Sequence, residues 1–483
     1  MPTVAPTKKV NNPSSLAMHC TPACVLSQWG LCTAIVFSYL VLALQADLRL
    51  AIALLVAVTA GVMILICICL YTASRYHWHV SPGQVMVVAI LIRAFFVLRP
   101  PELSDDLFRY LWDGLRLLSG HNPYGLPPAA VPAHEAGPAA LLARVNHADL
   151  TTIYPPAAQW VFTAGAALKS GLIGIKTVLV IFDVMTCALI VRLLRILEQP
   201  SWLAILYAWH PLTVLEIAAS GHIDAAGMLF LVVAIYLLVG QPQTAGLVVP
   251  RAKPQWRRVF IAGVCYSMAV LTKLFPLVFF PGMLILAGRS RRIVFCIGIT
   301  VGVLTLALPF FPDIQNAWAT LSLYARTWEF SGFLYRCMCL TPLSGIQTRC
   351  LIGGGFAVAL FIAYRPIGTR RPPIAGILDR FRFLALAFLL LTPTLHPWYA
   401  LYLVLFLPFS PASCGIVLSW AVLLAYRVLI PYALLGRWIE DDLTPFLIFA
   451  APVAAWLLQR LTADDPQYFH PRPKNARQRP ADL

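Results

Sequence analysis

The stretch Leu50-Ala51-Ile52-Ala53-Leu54-Leu55-Val56-Ala57-Val58-Thr59-Ala60-Gly61-Val62-Met63-Ile64-Leu65-Ile66-Cys67-Ile68-Cys69-Leu70-Tyr71-Thr72-Ala73 contains no charged residue. As a helix rising about 1.5 Å per residue it is long enough to cross the roughly 30 Å hydrocarbon core of a bilayer. It is apolar on every side and leaves no face for water, so it reads as a membrane span rather than the amphipathic helix of a soluble domain. The rest of the chain has the same character. Of 483 residues, 60% are hydrophobic and 12% charged, against roughly 25% charged in soluble domains. That is too little charge to coat a soluble globule, and it excludes soluble, collagen-like and disordered classes.

Comparable apolar runs recur at 24–46, 84–99, 172–191, 202–219, 224–240, 257–272, 275–288, 293–312, 351–364, 383–395, 398–410, 413–432 and 444–461. The expected fold is therefore an all-α polytopic membrane protein with about fourteen transmembrane helices. The stretch 157–168, after Tyr154-Pro155-Pro156, is too short to span and reads as a re-entrant or interfacial helix. The expected organisation is an N-terminal tail at 1–23, a transmembrane domain at 24–461 and a basic tail at 462–483. No internal repeat of the kind that builds many secondary transporters is visible.

The net charge of +16 fits either a nucleic-acid binder or basic cytoplasmic loops. The basic clusters are Lys8-Lys9, Arg192 with Arg195, the Arg251–Arg258 loop, Arg289/Arg291/Arg292, the Arg365–Arg382 loop and the tail from Arg460 to Arg479. Alternation through the spans puts all of them, and both termini, on one side, which the positive-inside rule makes the cytoplasm. The charge is thus an orientation signal that suits anionic headgroups, with no call for nucleic acid. The other side receives the large segments 100–153 and 313–350, which carry short helices, and most of the acidic residues.

The N-terminus lacks a cleavable signal pattern. Most cysteines sit in apolar runs as small hydrophobes, with no zinc-type spacing. Cys337, Cys339 and Cys350 share one polar loop and leave a disulfide open.

Ser104-Asp105-Asp106 opens the first large outer loop. Ser104 suits an N-cap and the aspartates favour the first turn of a helix. Capping needs one carboxylate, so a second beside it is a candidate general base or metal ligand. Tyr154-Pro155-Pro156 closes that loop as a rigid entry to the membrane, with Tyr154 on the cavity floor. Glu216, His222 and Asp224 cluster at one helix hairpin, where ionisable groups at the membrane face a polar cavity or one another. Lys273 lies at the middle of an apolar hairpin, and either snorkels to headgroups or serves as a phosphate ligand. His396 is a further candidate ligand, followed by the interfacial aromatics Trp398 and Tyr399. Arg326, Trp328 and Glu329 offer a charge pair and an aromatic platform, or a loop salt bridge. Asp183 stands in an apolar helix and is expected to pair with another helix; Arg93 is also deeply placed.

In order along the chain, the motifs are Ser104-Asp105-Asp106-Leu107-Phe108-Arg109-Tyr110-Leu111-Trp112-Asp113-Gly114 with His121-Asn122-Pro123-Tyr124, then Thr152-Ile153-Tyr154-Pro155-Pro156. There follow Trp209-His210-Pro211-Leu212 with Glu216 and Gly221-His222-Ile223-Asp224, then Leu271-Thr272-Lys273-Leu274-Phe275-Pro276 and His396-Pro397-Trp398-Tyr399. This ordered set resembles the GT-C superfamily of polytopic glycosyltransferases, and within it the bacterial polyprenyl-phosphate-mannose-dependent mannosyltransferase group. The resemblance implies a polyprenyl-phosphate-linked hexose donor, with mannose expected, a glycan or glycolipid acceptor, and a site on the outer face of a bacterial inner membrane. It also implies that Asp105 or Asp106 is the catalytic carboxylate. The sequence departs from the family in placing this acidic pair after three spans, where many relatives have it after the first. The expected C-terminal segment is a basic tail, 462–483, where relatives of this group carry a large soluble domain.

The expected reaction is an inverting transfer in which Asp105 or Asp106 takes the acceptor proton, while Lys273, His222 and His396 stabilise the departing phosphate. Glu216, Asp224, Tyr154, Trp328, Glu329, Trp398 and Tyr399 are expected to line the cavity. No cofactor is required by this chemistry, and a divalent metal at Asp105 and Asp106 stays open. The rival is a transporter or flippase of a lipid-linked saccharide, with Asp183, Glu216 and Asp224 along its path. A ligase acting on a polyprenyl pyrophosphate would need more outer-face arginine.

Overall fold

The computed structural model describes residues 22–76, 80–135, 137–239, 256–365 and 374–462. Nearly all of the expected tails, Lys8-Lys9, most of the Arg251–Arg258 loop and residues 366–373 of the Arg365–Arg382 loop lie outside the described residues. The described chain is helical, and its only β pairing is an isolated bridge between Phe330-Ser331 and Thr394. Among the described residues six helices are long and apolar enough to cross a membrane: Ile52–Arg75, Leu172–Ile196, Arg289–Phe310, Gly345–Tyr364, Ser413–Leu435 and Leu443–Leu461. A seventh follows if Ser201–Ala208 and Pro211–Ala219, bent by 51°, form one broken span. Large apolar side chains such as Ile64, Ile297 and Phe361 stand exposed on these helices, as a lipid environment favours.

The expected count of about fourteen spans is not reached by this measure. The reason is local. Several apolar runs break at prolines that begin new short helices: His210 precedes Pro211, a 3₁₀ turn covers Phe275–Phe279 and another covers Pro397–Ala400. The resulting shorter apolar helices include Pro82–Val97, Asp224–Val239 and Phe275–Ala287.

Helix starts follow ordinary capping chemistry. Ser81 and Gln84, and Ser344 and Gln347, close reciprocal capping boxes at the starts of Pro82–Val97 and Gly345–Tyr364, satisfying backbone donors that the first turn leaves without a partner. The segment 100–153 holds the helix Asp106–Leu118, preceded by three helices, and the segment 313–350 holds Gln315–Thr327 and Phe333–Cys339. The two segments are tied together. Asn122 Nδ2 donates to Phe310 O and Asp313 Oδ2, and Asn316 Nδ2 donates to Tyr124 O.

The stretch read as re-entrant is the helix Pro156–Ala167, packed against Asp106–Leu118 and Leu172–Ile196. The packing is close enough that a Cβ on Gly114 would sit 2.5 Å from Phe162 O. Asp183 pairs with Arg93 at 2.6 Å, both side chains fully buried. Cys337, Cys339 and Cys350 are free thiols.

Candidate active site

The site is assembled from the start of Asp106–Leu118, the break after a π-helical turn, the Lys273 hairpin tip and the His396 turn. Asp105 occupies the N-cap position but makes no side-chain cap; Ser104 Oγ accepts from Asp106 N instead, at 3.3 Å. Asp105 thus stands at the N-cap in place of the expected Ser104, Asp106 lies in the first turn as expected, and the two carboxylates diverge. Asp105 Oδ1 binds Arg49 Nη2 at 2.8 Å. Asp106 Oδ1 accepts from Asn146 Nδ2 at 2.7 Å, and its Oδ2 lies 3.9 Å from His222 Nδ1. Burial pushes the Asp106 carboxyl up, and hydrogen bonds from Asn146 and Tyr154 with the nearby Lys273 charge offset this in part. With 20% of its side chain exposed, Asp106 is still open to a substrate.

The π turn Val214–Ala219 ends where Gly221 adopts φ +79°. That conformation favours glycine, and a Cβ there would also meet Leu107 Cδ1 at 2.8 Å. The chain then folds back so that His222 N donates to Glu216 O at 2.9 Å, which brings the two side chains together. His222 Nε2 lies 3.3 Å from Glu216 Oε2, and both Glu216 oxygens accept from Tyr426 Oη at 2.6 and 2.8 Å. His222 stacks on Trp398 at 4.1 Å, Trp398 on His396 at 4.3 Å, and His396 on Phe330 at 4.8 Å.

Lys273 Nζ reaches both oxygens of Asp224, at 2.7 and 2.8 Å, and lies 4.9 Å from the Tyr399 ring centroid. The Tyr399 hydroxyl is hydrogen-bonded to that of Tyr324. Lys273 has turned inward to a carboxylate, and with 26% of its side chain exposed it remains the accessible cation of the cluster.

The sequence expectations fare unevenly. Asp106, His222, Glu216, Asp224, Lys273, Tyr154, Trp398 and Tyr399 come together. Glu216 is fully buried and does not reach an open cavity. His222 and His396 are held well below the usual imidazole range, His396 at about 3, chiefly by burial and then by the Lys273 charge; both are neutral near pH 7. Trp328 packs edge-on to His147 at 5.0 Å and beside Tyr324 at 5.3 Å, forming an outer wall. Glu329 turns away to Arg349 at 2.8 Å, in place of the expected pairing with Arg326. Among the described residues no three His, Cys, Asp or Glu side chains converge as a metal-binding group.

Residues 23–289 match the family model described as alpha-(1->6)-mannopyranosyltransferase, N-terminal domain. The chain belongs to this mannosyltransferase family. It is accordingly a membrane glycosyltransferase. No curated protein and no solved structure matches it. Asp105, Asp106, Glu216, His222, Asp224 and Lys273 all fall within the matched residues, whereas Trp328, His396, Trp398 and Tyr426 lie beyond them.

Asn146, Tyr426 and Arg49 are the site residues that the sequence reading missed. Each stands in an unremarkable local context, and its partner is 40, 210 or 56 residues away.

Proposed function

We propose that the protein transfers a mannosyl residue from a polyprenyl-phosphate-linked donor to a hydroxyl of a glycan or glycolipid acceptor, on the non-cytoplasmic face of the membrane. Asp106 is the base. The observation that carries this reading is the convergence of a partly exposed carboxylate, Asp106, held at Oδ1 by Asn146, with an accessible cation, Lys273, whose charge already acts on it.

In the reaction, the acceptor oxygen attacks the anomeric carbon from the face opposite the phosphate. Its proton passes to Asp106, the new glycosidic bond forms, and the bond from the anomeric carbon to the phosphate oxygen breaks with its electron pair leaving on the phosphate. Configuration inverts. Lys273, shared between Asp224 and the leaving group, stabilises the charge that develops there. Asp105, tied to Arg49, anchors the start of the catalytic helix. The isoprenoid chain lies in lipid beside the apolar helices. A transport reading would need Asp183 on a polar path, yet Arg93 and Tyr207 enclose its carboxylate.

The test is a membrane assay with polyprenyl-phosphate-linked mannose, glucose and arabinose, comparing the wild type with Asp106→Asn and Asp105→Asn. Mannose transfer falling about 10²- to 10⁴-fold in Asp106→Asn, the range for a lost general base, is the expected result. Full transfer by Asp106→Asn overturns the base, and a loop tag reporting Asp106 on the cytoplasmic side overturns the topology.

A further inference from the structure

Glu216 takes no direct part in the reaction just described, and its surroundings give it a different task. Its side chain is wholly buried in the π turn. Among the described residues no lysine or arginine lies within ion-pair distance of it; its polar neighbours are the Tyr426 hydroxyl and the His222 ring. An isolated buried carboxylate is costly, whereas a neutral carboxylic acid with hydrogen-bond partners is not. Glu216 as the neutral acid accepts from Tyr426 and has one proton to give.

The group that can receive it is His222 Nε2. That atom is buried, lacks a well-aligned hydrogen bond, and is approached by Glu216 Oε2 at 3.3 Å; a small turn of the carboxyl closes the bond. The ring itself is held in place by its stack on Trp398. Once Nε2 accepts, the single ring proton must sit on Nδ1. Nδ1 faces Asp106 Oδ2 at 3.9 Å, a separation of the kind that tightens when a substrate fills the site.

We infer that Glu216 is a positioning residue: as a neutral acid donating to His222 Nε2, it fixes the imidazole as the Nδ1–H tautomer and so keeps Asp106 oriented and ionised. The inference rests on the reading of Asp106 as base. An N–H aimed at a carboxylate favours its charged form; the opposite tautomer would present a lone pair and disfavour it. The ionisable groups around Asp106 are Asp105 and Tyr110 on its own helix side, Tyr154, His222 and Lys273, and the phenols of Tyr324, Tyr399 and Tyr426. Those around Glu216 are Asp224, Lys273, His222 and Tyr426.

The experiment is the pH profile of kcat for mannose transfer by the full-length protein, with polyprenyl-phosphate mannose as donor, in Glu216→Gln, Glu216→Leu and Tyr426→Phe. A glutamine amide can donate to His222 Nε2 and accept from Tyr426, so Glu216→Gln keeps kcat within about threefold and leaves the acid limb in place. Glu216→Leu removes the donor; kcat drops about 100-fold or more, as when a histidine loses the partner that sets its tautomer, and the acid limb moves up by about one pH unit. Tyr426→Phe, which deletes only a hydroxyl, moves the limb in the same direction by less. It decides the matter with Glu216→Gln if the leucine variant does not fold.

Glu216→Gln as impaired as Glu216→Leu overturns the inference, because a charged carboxylate is then required. An unmoved limb in Glu216→Leu, or in Tyr426→Phe, also overturns it, leaving Glu216 a packing residue. Asp106→Asn separates the two readings. Wild-type transfer by that variant removes the base and the inference together, whereas an inactive Asp106→Asn beside a wild-type profile in Glu216→Leu removes the inference alone.

Discussion

Arg93 Nε donates to Asp183 Oδ2 at 2.6 Å with both side chains fully buried, joining the helices Pro82–Val97 and Leu172–Ile196. Tyr207 Oη donates to the other Asp183 oxygen at 2.6 Å, and Arg93 Nη1 donates to Ala208 O at 2.7 Å. The pair therefore also fixes the broken span that leads to Glu216 and His222. Removing one partner leaves an uncompensated buried charge, a loss of about 3–5 kcal/mol. Asp183→Leu should accordingly lower the thermal midpoint in detergent sharply, while Arg93→Met with Asp183→Leu recovers most of the loss. A single variant as stable as the wild type would show that the pair does not hold these helices.

Asp105 and Arg49 form the next coupled pair, at 2.8 Å and partly exposed. Arg49 also hydrogen-bonds to Glu102 O, so it braces the approach to the catalytic helix from the preceding helical hairpin. If Asp105 acts only through this brace, Asp105→Asn and Arg49→Gln each reduce kcat modestly, by about tenfold or less, and the double variant is no worse than either single one. Additive losses in that double-mutant cycle would place Asp105 among the groups that touch substrate.

The contrast between Asp105 and Asp106 shows how far the sequence could be read. Ionisable residues set in apolar surroundings stand out without any structure, as Asp224, His222 and Lys273 do, whereas Asp106 stands out only as half of an acidic pair that the sequence leaves undivided from Asp105. Their membership of the cluster follows from the cost of placing charge near lipid. The pairings did not follow, since sequence separation carries no distance: nothing in Asn146 or Tyr426 marks it as a partner of Asp106 or Glu216. Lys273 was legible as a charge needing a partner, but its turn toward Asp224 depends on how two hairpin tips meet. By length and composition the span count is not reached for a related reason. Hydropathy sees the run 202–219 as continuous, while the break at His210-Pro211 and the π turn that follows are decided by packing.

The environment of Asp106 gives a pH dependence with a definite sign. Burial raises its pKa above the usual carboxylate value, and only the ionised form accepts a proton. Transfer should therefore fail on acidification while the pH is still above about 3.9, the ordinary aspartate value. Asn146 donates directly to Oδ1 at 2.7 Å and favours the charged form, so Asn146→Ala pushes the acid limb higher still, by about one unit, and lowers kcat at neutral pH. The measurement is kcat against pH in both proteins. A limb that stays put in Asn146→Ala would detach it from the Asp106 titration.

Lys273 and Asp224 divide the last question between them: which of the two serves the leaving phosphate. Lys273 carries the accessible charge, whereas the Asp224 side chain is only 1% exposed and holds the ammonium by two contacts. Lys273→Met deletes a group aimed at developing negative charge and should lower kcat by about 10²- to 10³-fold, the scale for a lost oxyanion donor. It should also weaken inhibition by free polyprenyl phosphate. Asp224→Asn keeps the cation and releases it from its counter-ion, so inhibition by polyprenyl phosphate should hold or tighten even as kcat falls from looser placement of the ammonium. Equal weakening of inhibition in both variants would mean that the ion pair acts as a structural unit, with the phosphate held elsewhere.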